Sequence, residues 1–554
     1  MSPSGPDSTL ISRALETRGA DGIARLLGSF VFAYWNEQTS TLRMARDCIG
    51  MRKALFFHRG ADFIAFATHL NDLTAIPEVP RAIDERMIVS LLTLETAELD
   101  TTIYRGICRV PSRRLVTITP AAITIVPYWE PAIGRVPPFK RDQDYIERAR
   151  ELFERSVSRS VRDLPRVAVY MSGGLDSSAV AATAVRLESC EVTGYTGLPP
   201  DDLKLDLRGW YLSERPKVEA LARLYPSLRV RFIVPSGVHP LLKDSALAFA
   251  RQGMPDRSPT GRAWFRFIND AILADGHRTA LIGLLGNPGL SWPGRFLLKE
   301  LARRGRFAAL LREAIAGARI RRRRLWRILY DDLLLLDMPR ILGRAVSRLQ
   351  GHDPDDIGYY SLLNPDAIGT LDLHRRWKET GFDPRFGSRG DAVEVRTRMM
   401  FDHLQYGRDL MASRQAAEGY EWRDPYADRE LLEFCLNVPV TLYRRNGIPR
   451  WFARKVFEDR LPPDILNEYL RGAQGPAWFA TLDERKSDMA SDIERFEASA
   501  LCRRILDIPR MRRLIDEWPV DAEEAEARAS EYRSGLDRAV QVGQFVRWIE
   551  GGNA

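Results

Sequence analysis

Cysteine is scarce in this chain and follows no pattern. Cys48, Cys108, Cys190, Cys435 and Cys502 are the only five in 554 residues, and no C-x-x-C pair occurs. An odd, dispersed set excludes a disulfide framework and a thiolate zinc site, and it fits a reducing compartment. The seven histidines form no H-E-x-x-H or comparable ligand spacing. No apolar run reaches bilayer-spanning length; the richest, residues 333–336, is bracketed by Asp331, Asp332 and Asp337. Residues 1–21 are polar and charged, unlike a signal peptide. A G-x-x-x-x-G-K-[ST] loop is also missing, which argues against γ-phosphoryl transfer of the usual P-loop kind. These absences lead to the expectation of a soluble, cytoplasmic protein with no membrane partner.

What is present is ordinary globular material, 45% hydrophobic and 28% charged, in a length that calls for two domains rather than one. Lys and Arg total 82 against 74 for Asp and Glu, a net charge of +8. That mild excess fits an anionic ligand or an acidic peptide. It lacks the concentrated basic stripe with interleaved aromatics that nucleic-acid binding requires. The densest run, residues 319–324 with Arg327 beyond, reads first as a solvated helix face and second as a docking patch that could grip a peptide.

Residues 22–135 read as closely spaced antiparallel strands, with β-forming runs at 28–35, 41–47, 54–57, 62–67, 115–119 and 122–126. Pro131, Pro137 and Pro138 then mark a linker. Beyond it the pattern changes to a helix over 145–161, an apolar strand over 166–171, a glycine turn, and a helix over 179–187. That is a βα unit of a parallel sheet. Further strands are expected at 229–234 and 279–282, and residues 298–350 and 390–550 read as mainly helical.

The turn Ser172-Gly173-Gly174-Leu175-Asp176-Ser177-Ser178 carries the chemistry. It lies where open α/β sheets bind ligands, beyond a strand and at the start of a helix. Gly173 and Gly174 let the backbone come close and turn N–H groups inward, and the helix start favours negative charge. Ser172, Ser177 and Ser178 add hydroxyl donors. Asp176 would repel bare phosphate, so a Mg²⁺ ion between it and the phosphates makes sense of the loop. The pattern is a cradle for a metal-bound polyphosphate.

S-G-G-x-D-S-S after an apolar strand resembles the pyrophosphate loop of the ATP pyrophosphatases, the group that includes asparagine, GMP and β-lactam synthetases. The resemblance extends along the chain. Residues 28–35 with Ala45-Arg46-Asp47 and Gly50 resemble the amidotransferase domain of asparagine synthetases. The segment from Gly419 through Glu421 to Asp428 resembles their G-x-E-x-R-x-P-F-L-D element, and residues 461–467 resemble L-P-P-x-x-L-x. The fold this implies is α+β and α/β. A degenerate class II glutamine amidotransferase-like β-rich sandwich spans 1–135. An adenine-nucleotide alpha hydrolase-like (ATP pyrophosphatase) domain spans 140–554, with a parallel sheet, many helices and a helical insertion at about 298–350.

Three departures narrow the resemblance. Ser2 stands where that amidotransferase domain has its nucleophilic cysteine, and the matching part starts near residue 20, so no glutaminase is assigned. The family's S-G-x-G-x-D-E has become Ile282-Gly283-Leu284-Leu285-Gly286-Asn287-Pro288, with Asn287 in place of a metal-binding aspartate. Gly286-Asn287 and Ser291-Trp292 instead resemble the lasso peptide cyclases. The late family lysine is out of register, and Leu470 or Arg471 lies there. The resemblance therefore implies ATP-dependent macrolactam formation on a precursor peptide, with AMP and diphosphate released. It also implies a separate leader-recognition protein and a leader peptidase as partners. In that reading Ser172, Gly173, Gly174, Asp176, Ser177, Ser178, Gly283, Gly286 and Asn287 hold the nucleotide, and Asp176 carries Mg²⁺. Arg471 steadies the pyrophosphate and Glu421 takes the amine's proton. The alternative is an asparagine synthetase or β-lactam synthetase-like amide former that does not use glutamine.

Overall fold

The computed structural model describes residues 7–95, 100–134, 139–207, 209–334, 356–384, 386, 390–402 and 405–551. Pro137 and Pro138 of the expected linker, Asp337, and residues 335–350 of the expected insertion lie outside the described residues.

The front of the chain folds as two antiparallel sheets. Strands β1 (Val31–Asn36) and β2 (Thr41–Arg46) come first, followed by β3 (Phe56–Arg59), β4 (Ile64–Ala67), β5 (Ile107–Arg109), β6 (Arg114–Ile118) and β7 (Ile123–Pro127). One sheet runs β1-β2-β6-β7 and the other β4-β3-β5. Alternate residues point inward, as the period of a half-buried strand requires. Leu42, Met44, Val116 and Ile118 of the first sheet meet Phe57 of the second in one buried cluster. The expected sandwich is therefore present. Helix Asp7–Arg18 lies on its other face, where Leu15 is buried with Ala45 and Leu115.

The back half is built on β8 (Arg166–Tyr170), β9 (Glu191–Gly197), the short β10 (Trp210–Tyr211), β11 (Arg229–Ile233), β12 (Thr279–Leu281) and β13 (Glu421–Arg423). Five of these form a parallel sheet in the order β11-β9-β8-β12-β13. Val167, Ala168, Val169, Ala280 and Leu281 are fully or almost fully buried, as expected of a sheet covered on both faces. The chain winds outward from β8 through β9 to β11, then returns to build β12 and β13 on the other side. Strand order reverses between β8 and β12, the switch point where open α/β sheets take ligands in a crevice beyond the carboxyl ends of their strands.

Several strands depart from the sequence reading, β9 and β13 of the parallel sheet among them. β13 interrupts a stretch expected to be helical, and β9 was not foreseen. Both lack an apolar run: β13 is Glu-Trp-Arg, and β9 mixes Thr and Gly with a single Val and Tyr. Their strand state comes from the neighbours they pair with, and tertiary context outweighs local propensity. Trp422 of β13 is fixed by an edge-on contact with Tyr170 of β8, ring centroids 5.6 Å apart.

A buried ion cluster joins the two halves. Asp409, on helix Gln405–Glu418, has a fully buried side chain and accepts from two front-domain arginines. Arg46 Nη1 of β2 lies 2.8 Å from Oδ1, and Arg109 Nε of β5 lies 2.6 Å from Oδ2. Arg408 next to it donates to the Ile49 carbonyl at 2.7 Å. Removing Asp409 would leave two guanidinium groups buried and uncompensated, which costs about 3–5 kcal/mol. Asp409→Ala should therefore lower stability by that order in urea unfolding; a loss below about 1 kcal/mol would show that the halves do not depend on this contact.

Candidate functional site

At the end of β8 the backbone leaves the sheet in a controlled way. Met171 N–H donates to Tyr195 O at 2.9 Å, and Thr196 Oγ1 donates to Met171 O at 2.7 Å. Gly173 then takes φ +55°, and a Cβ there would lie 3.0 Å from Lys217 Cβ and 3.2 Å from the Glu214 carbonyl. Only glycine fits that turn. Helix Leu175–Arg186 begins at Gly174 with no side-chain cap, so its first N–H groups face the crevice. Ser172 N–H donates to Ser177 Oγ at 3.0 Å, and the two hydroxyls lie 2.9 Å apart. These bonds knit the loop from within. Ser178 is fully buried, and its hydroxyl has no partner among the described residues. Ser172 and Gly174 are the half-buried, reachable members of the motif, while Gly173, Asp176, Ser177 and Ser178 are buried.

Asp176 is clamped between the two loops that border the crevice. Its side chain is turned to the loop after β12, where Ser291 Oγ donates to Oδ2 at 2.8 Å. Oδ1 is buried with no hydrogen-bond partner. A Cβ on Gly286 would fall 2.5 Å from that oxygen, and one on Gly283 would fall 3.2 Å from Ser177 N. Gly283 and Gly286 thus serve by letting the second loop close onto the first. Burial pushes the Asp176 carboxyl above its ordinary range, and the Arg450 guanidinium partly offsets this. Asp424, just past β13, accepts Leu285 N–H at 2.8 Å and Tyr426 N–H at 2.9 Å, which ties the β12 loop to the β13 loop. Burial pushes its carboxyl up to about 7, against those two N–H donors and with help from the Asp176 charge.

The positive side of the site is arginine. Arg450 Nη2 donates to Asn287 Oδ1 at 2.8 Å, so the Asn287 carbonyl meets a guanidinium. Arg450 has φ +57°, a left-handed conformation that is rare outside glycine. Arg471 is exposed and lies over the Trp210 ring at 5.8 Å, on a two-residue strand pair formed by β10 with Arg471–Gly472. Burial, Arg450 and Arg295 together hold the Arg471 guanidinium below its ordinary range. Three like charges gathered this way call for an anion. Sequence reading did not find Arg450, Arg295 or Ser291 as site residues. The strained backbone at Arg450 was the available signal, and it exists only in the structure.

Glu421 is placed differently from the loop residues. It opens β13, level with Thr279 at the start of β12. Its carboxylate is paired with Arg52 of the front half, and Arg423 Nη2 lies 3.3 Å from Oε2. The structure thus sets Glu421 at the junction of the two halves, where Arg52 and Arg423, not the Ser172–Ser178 loop, are its partners.

These residues fit a polyphosphate: a glycine turn, an uncapped helix start and an arginine cluster. They fit Mg²⁺ through one buried carboxylate oxygen on Asp176, in keeping with an ion held by one or two carboxylates and the phosphates themselves. Among the described residues no group of three or more His, Cys, Asp or Glu side chains forms a metal cluster, and no helix is long and apolar enough to cross a membrane.

The fold and the crevice define an open α/β protein with an anion cradle at its topological switch point. Comparison with known proteins finds two matching family models. A model described as a glutamine amidotransferase domain matches residues 3–129, and one described as asparagine synthase matches 148–202 and 361–537. In these matched segments the chain is similar to the two families. A glutamine-hydrolysing asparagine synthetase 3 of Bacillus subtilis is 29% identical over 166 residues, 30% of this chain and 26% of that protein. A putative glutamine-hydrolysing asparagine synthetase of Mycobacterium bovis is 32% identical over 185 residues, 32% of this chain and 28% of that protein. The chain thus spans little more than a quarter of these relatives. The amidase chry2 of Gibberella zeae is 29% identical over 506 residues, 83% of this chain and 71% of that protein.

Two outcomes follow. Gly286→Ala should push Asp176 out of its place at about 1–3 kcal/mol of strain and weaken ATP binding at least tenfold in calorimetric titration; unchanged affinity would dissociate Asp176 from the site. The raised Asp424 carboxyl binds its proton more tightly folded than unfolded, so its stabilising effect is complete below about pH 4 and is lost as pH rises toward 7. Unfolding across that window should show stability falling with pH, and Asp424→Asn should flatten the slope.

Proposed function

We propose that this chain is an ATP-dependent carbon–nitrogen ligase that closes a macrolactam on a precursor peptide, releasing AMP and diphosphate. The observation that carries the reading is the buried, half-satisfied Asp176 carboxylate set beside a Ser-Gly-Gly turn, an uncapped helix start and Arg450. That set suits the two departing phosphates of a nucleotide.

In the first step a substrate carboxylate oxygen attacks the α-phosphorus. A new O–P bond forms, the bond to the bridging α,β-oxygen breaks, and diphosphate leaves with the electron pair. Gly173, Gly174 and the N–H groups of the helix start would hold the diphosphate, and Arg450 and Arg471 would balance its growing charge. Mg²⁺ carried by Asp176 would neutralise part of the phosphate charge. In the second step the peptide amine attacks the acyl carbon, the C–N bond forms, the acyl–oxygen bond breaks and AMP leaves. The proton lost by the amine is assigned to Glu421. Both Glu421 oxygens are engaged by guanidinium groups, so taking the proton requires Arg52 or Arg423 to release one.

The choice of a peptide substrate rests on Ser2, where the resembled amidotransferase domain has its nucleophilic cysteine, and on Asn287 and Ser291-Trp292, which resemble lasso cyclases. Cys48 of the front half is buried, with its thiol pushed far up by burial and by Asp47, so it is no glutaminase nucleophile. A leader-recognition protein and a leader peptidase would prepare the precursor. Holding the amine beside the activated acyl raises its effective concentration by orders of magnitude.

With ATP, Mg²⁺ and a short precursor peptide carrying an Asp or Glu side chain, the products should be AMP, diphosphate and a peptide lighter by one water through an internal amide. Asp176→Ala should bring turnover below detection. ADP as product would overturn the adenylation; asparagine formed from free aspartate and ammonia would replace the peptide with a small-molecule substrate.

A further inference from the structure

Arg471 is presented by a slender piece of structure. Among the described residues its strand, Arg471–Gly472, pairs with β10 (Trp210–Tyr211) alone, and the two form a sheet of their own. Beyond that ladder the strands share one further backbone bond, from Ala473 N–H to Tyr211 O at 2.9 Å. A ribbon of two short strands is not stable by itself, so its place must be set by what grips it.

The grip comes from helix Arg215–Leu224, which flanks the glycine turn. Lys217 of that helix lies against the turn: a Cβ on Gly173 would fall 3.0 Å from Lys217 Cβ. Its ammonium meets both sides of the ribbon. Nζ lies 3.0 Å from the centroid of the Tyr211 ring on β10 and 2.7 Å from Oε2 of Glu468, just ahead of Arg471. The other Glu468 oxygen, Oε1, accepts Leu470 N–H at 2.7 Å. One carboxylate thus joins the helix beside the turn to the backbone next to Arg471. Burial alone would raise the Glu468 carboxyl, but Lys217 and the Leu470 N–H outweigh it and hold the group below its ordinary range. Arg454 fastens the same segment to the other arginine loop. Its Nη2 donates to the Glu468 carbonyl at 2.8 Å, and its Nε donates to the carbonyl of Pro449, the residue before Arg450, at 3.1 Å.

Resting on the polyphosphate reading above, the geometry points to Lys217 and Glu468 as positioning residues, a latch that holds the ribbon against the glycine turn and so sets Arg471 beside the diphosphate. Glu468 carries the same sign of charge as that ligand. Whatever it contributes to binding an anion has to come through the cation it positions, and this gives the latch a signature that a plain field effect lacks.

The test titrates inorganic pyrophosphate calorimetrically into the full chain at constant Mg²⁺. Glu468→Gln keeps the side chain's shape and removes one negative charge. A field effect alone would tighten binding, whereas loss of the latch should weaken it about fivefold or more. Lys217→Met should weaken it at least as much. In an Arg471→Ala background Glu468→Gln should cost nothing further, and Lys217→Met should lose most of its effect, because the group they position is gone. The unfolding transition of each variant checks that it is folded. Pyrophosphate bound by Glu468→Gln as tightly as by wild type or more so, or losses that persist undiminished beside Arg471→Ala, would overturn the latch. A wild-type chain that binds no pyrophosphate, or Arg471→Ala with wild-type affinity, would instead bring down the diphosphate reading on which the latch rests.

Discussion

A carboxylate taken out of water must be paired, protonated or offered to a cation, and Asp176 holds the site at that decision point. Its backbone belongs to the loop after β8, and its side chain is gripped by the loop after β12 through Ser291, against the bare backbone of Gly286. The parallel sheet makes this possible. Loops from β8 and β12 approach each other only because strand order reverses between them. The same contact fixes the rest of the crevice: Asp424 ties the β12 loop to β13, and Tyr426 OH donates to the Asp176 carbonyl at 3.2 Å. The left-handed Arg450 then closes the ring by holding Asn287.

The front half has a different role. Its arginines Arg46 and Arg109 end on Asp409, and Arg52 ends on Glu421, so these three charges are spent on the interface with the back half. A cleft of about 740 Å³ remains between the halves, bordered by Asp47, Cys48 and Arg52 on one side and by Trp422, Arg423 and Asp424 on the other. The front half, with Cys48 buried, meets β13 through the Arg52–Glu421 pair. The shared apolar core points the same way: Phe56, Ile88 and Tyr104 of the front are buried in one cluster with Trp478 and Phe545 of the back.

Much of this was legible in the residues. The strand, glycine turn and helix around Asp176 follow from local chemistry, because each step is encoded within a dozen positions. The front sandwich follows from alternation. What could not be read depends on contacts between distant parts of the chain. β9 and β13 owe their strand state to partners, not to composition. Glu421 carries the residue type of a base, yet its position at the start of an edge strand and its two arginines are set by the register of β12 with β13. Gly283 and Gly286 were read as ligand contacts, whereas their closest neighbours are atoms of Asp176 and Ser177.

The balance of charge around the crevice ties these observations together. Asp176 and Asp424 bring two carboxyl groups to the loops, both pushed toward their neutral forms by burial. Arg450, Arg471 and Arg295 bring three guanidinium groups, and burial together with the other two charges holds the Arg471 guanidinium below its ordinary range. Acids and bases that close would normally neutralise each other in ion pairs, but here the hydrogen bond from Arg450 goes to a neutral amide instead. A ligand with a divalent cation on one side and phosphate oxygens on the other answers both at once. Neither inorganic phosphate nor a metal ion alone would relieve both, which makes a metal–polyphosphate the occupant that the charge arrangement favours.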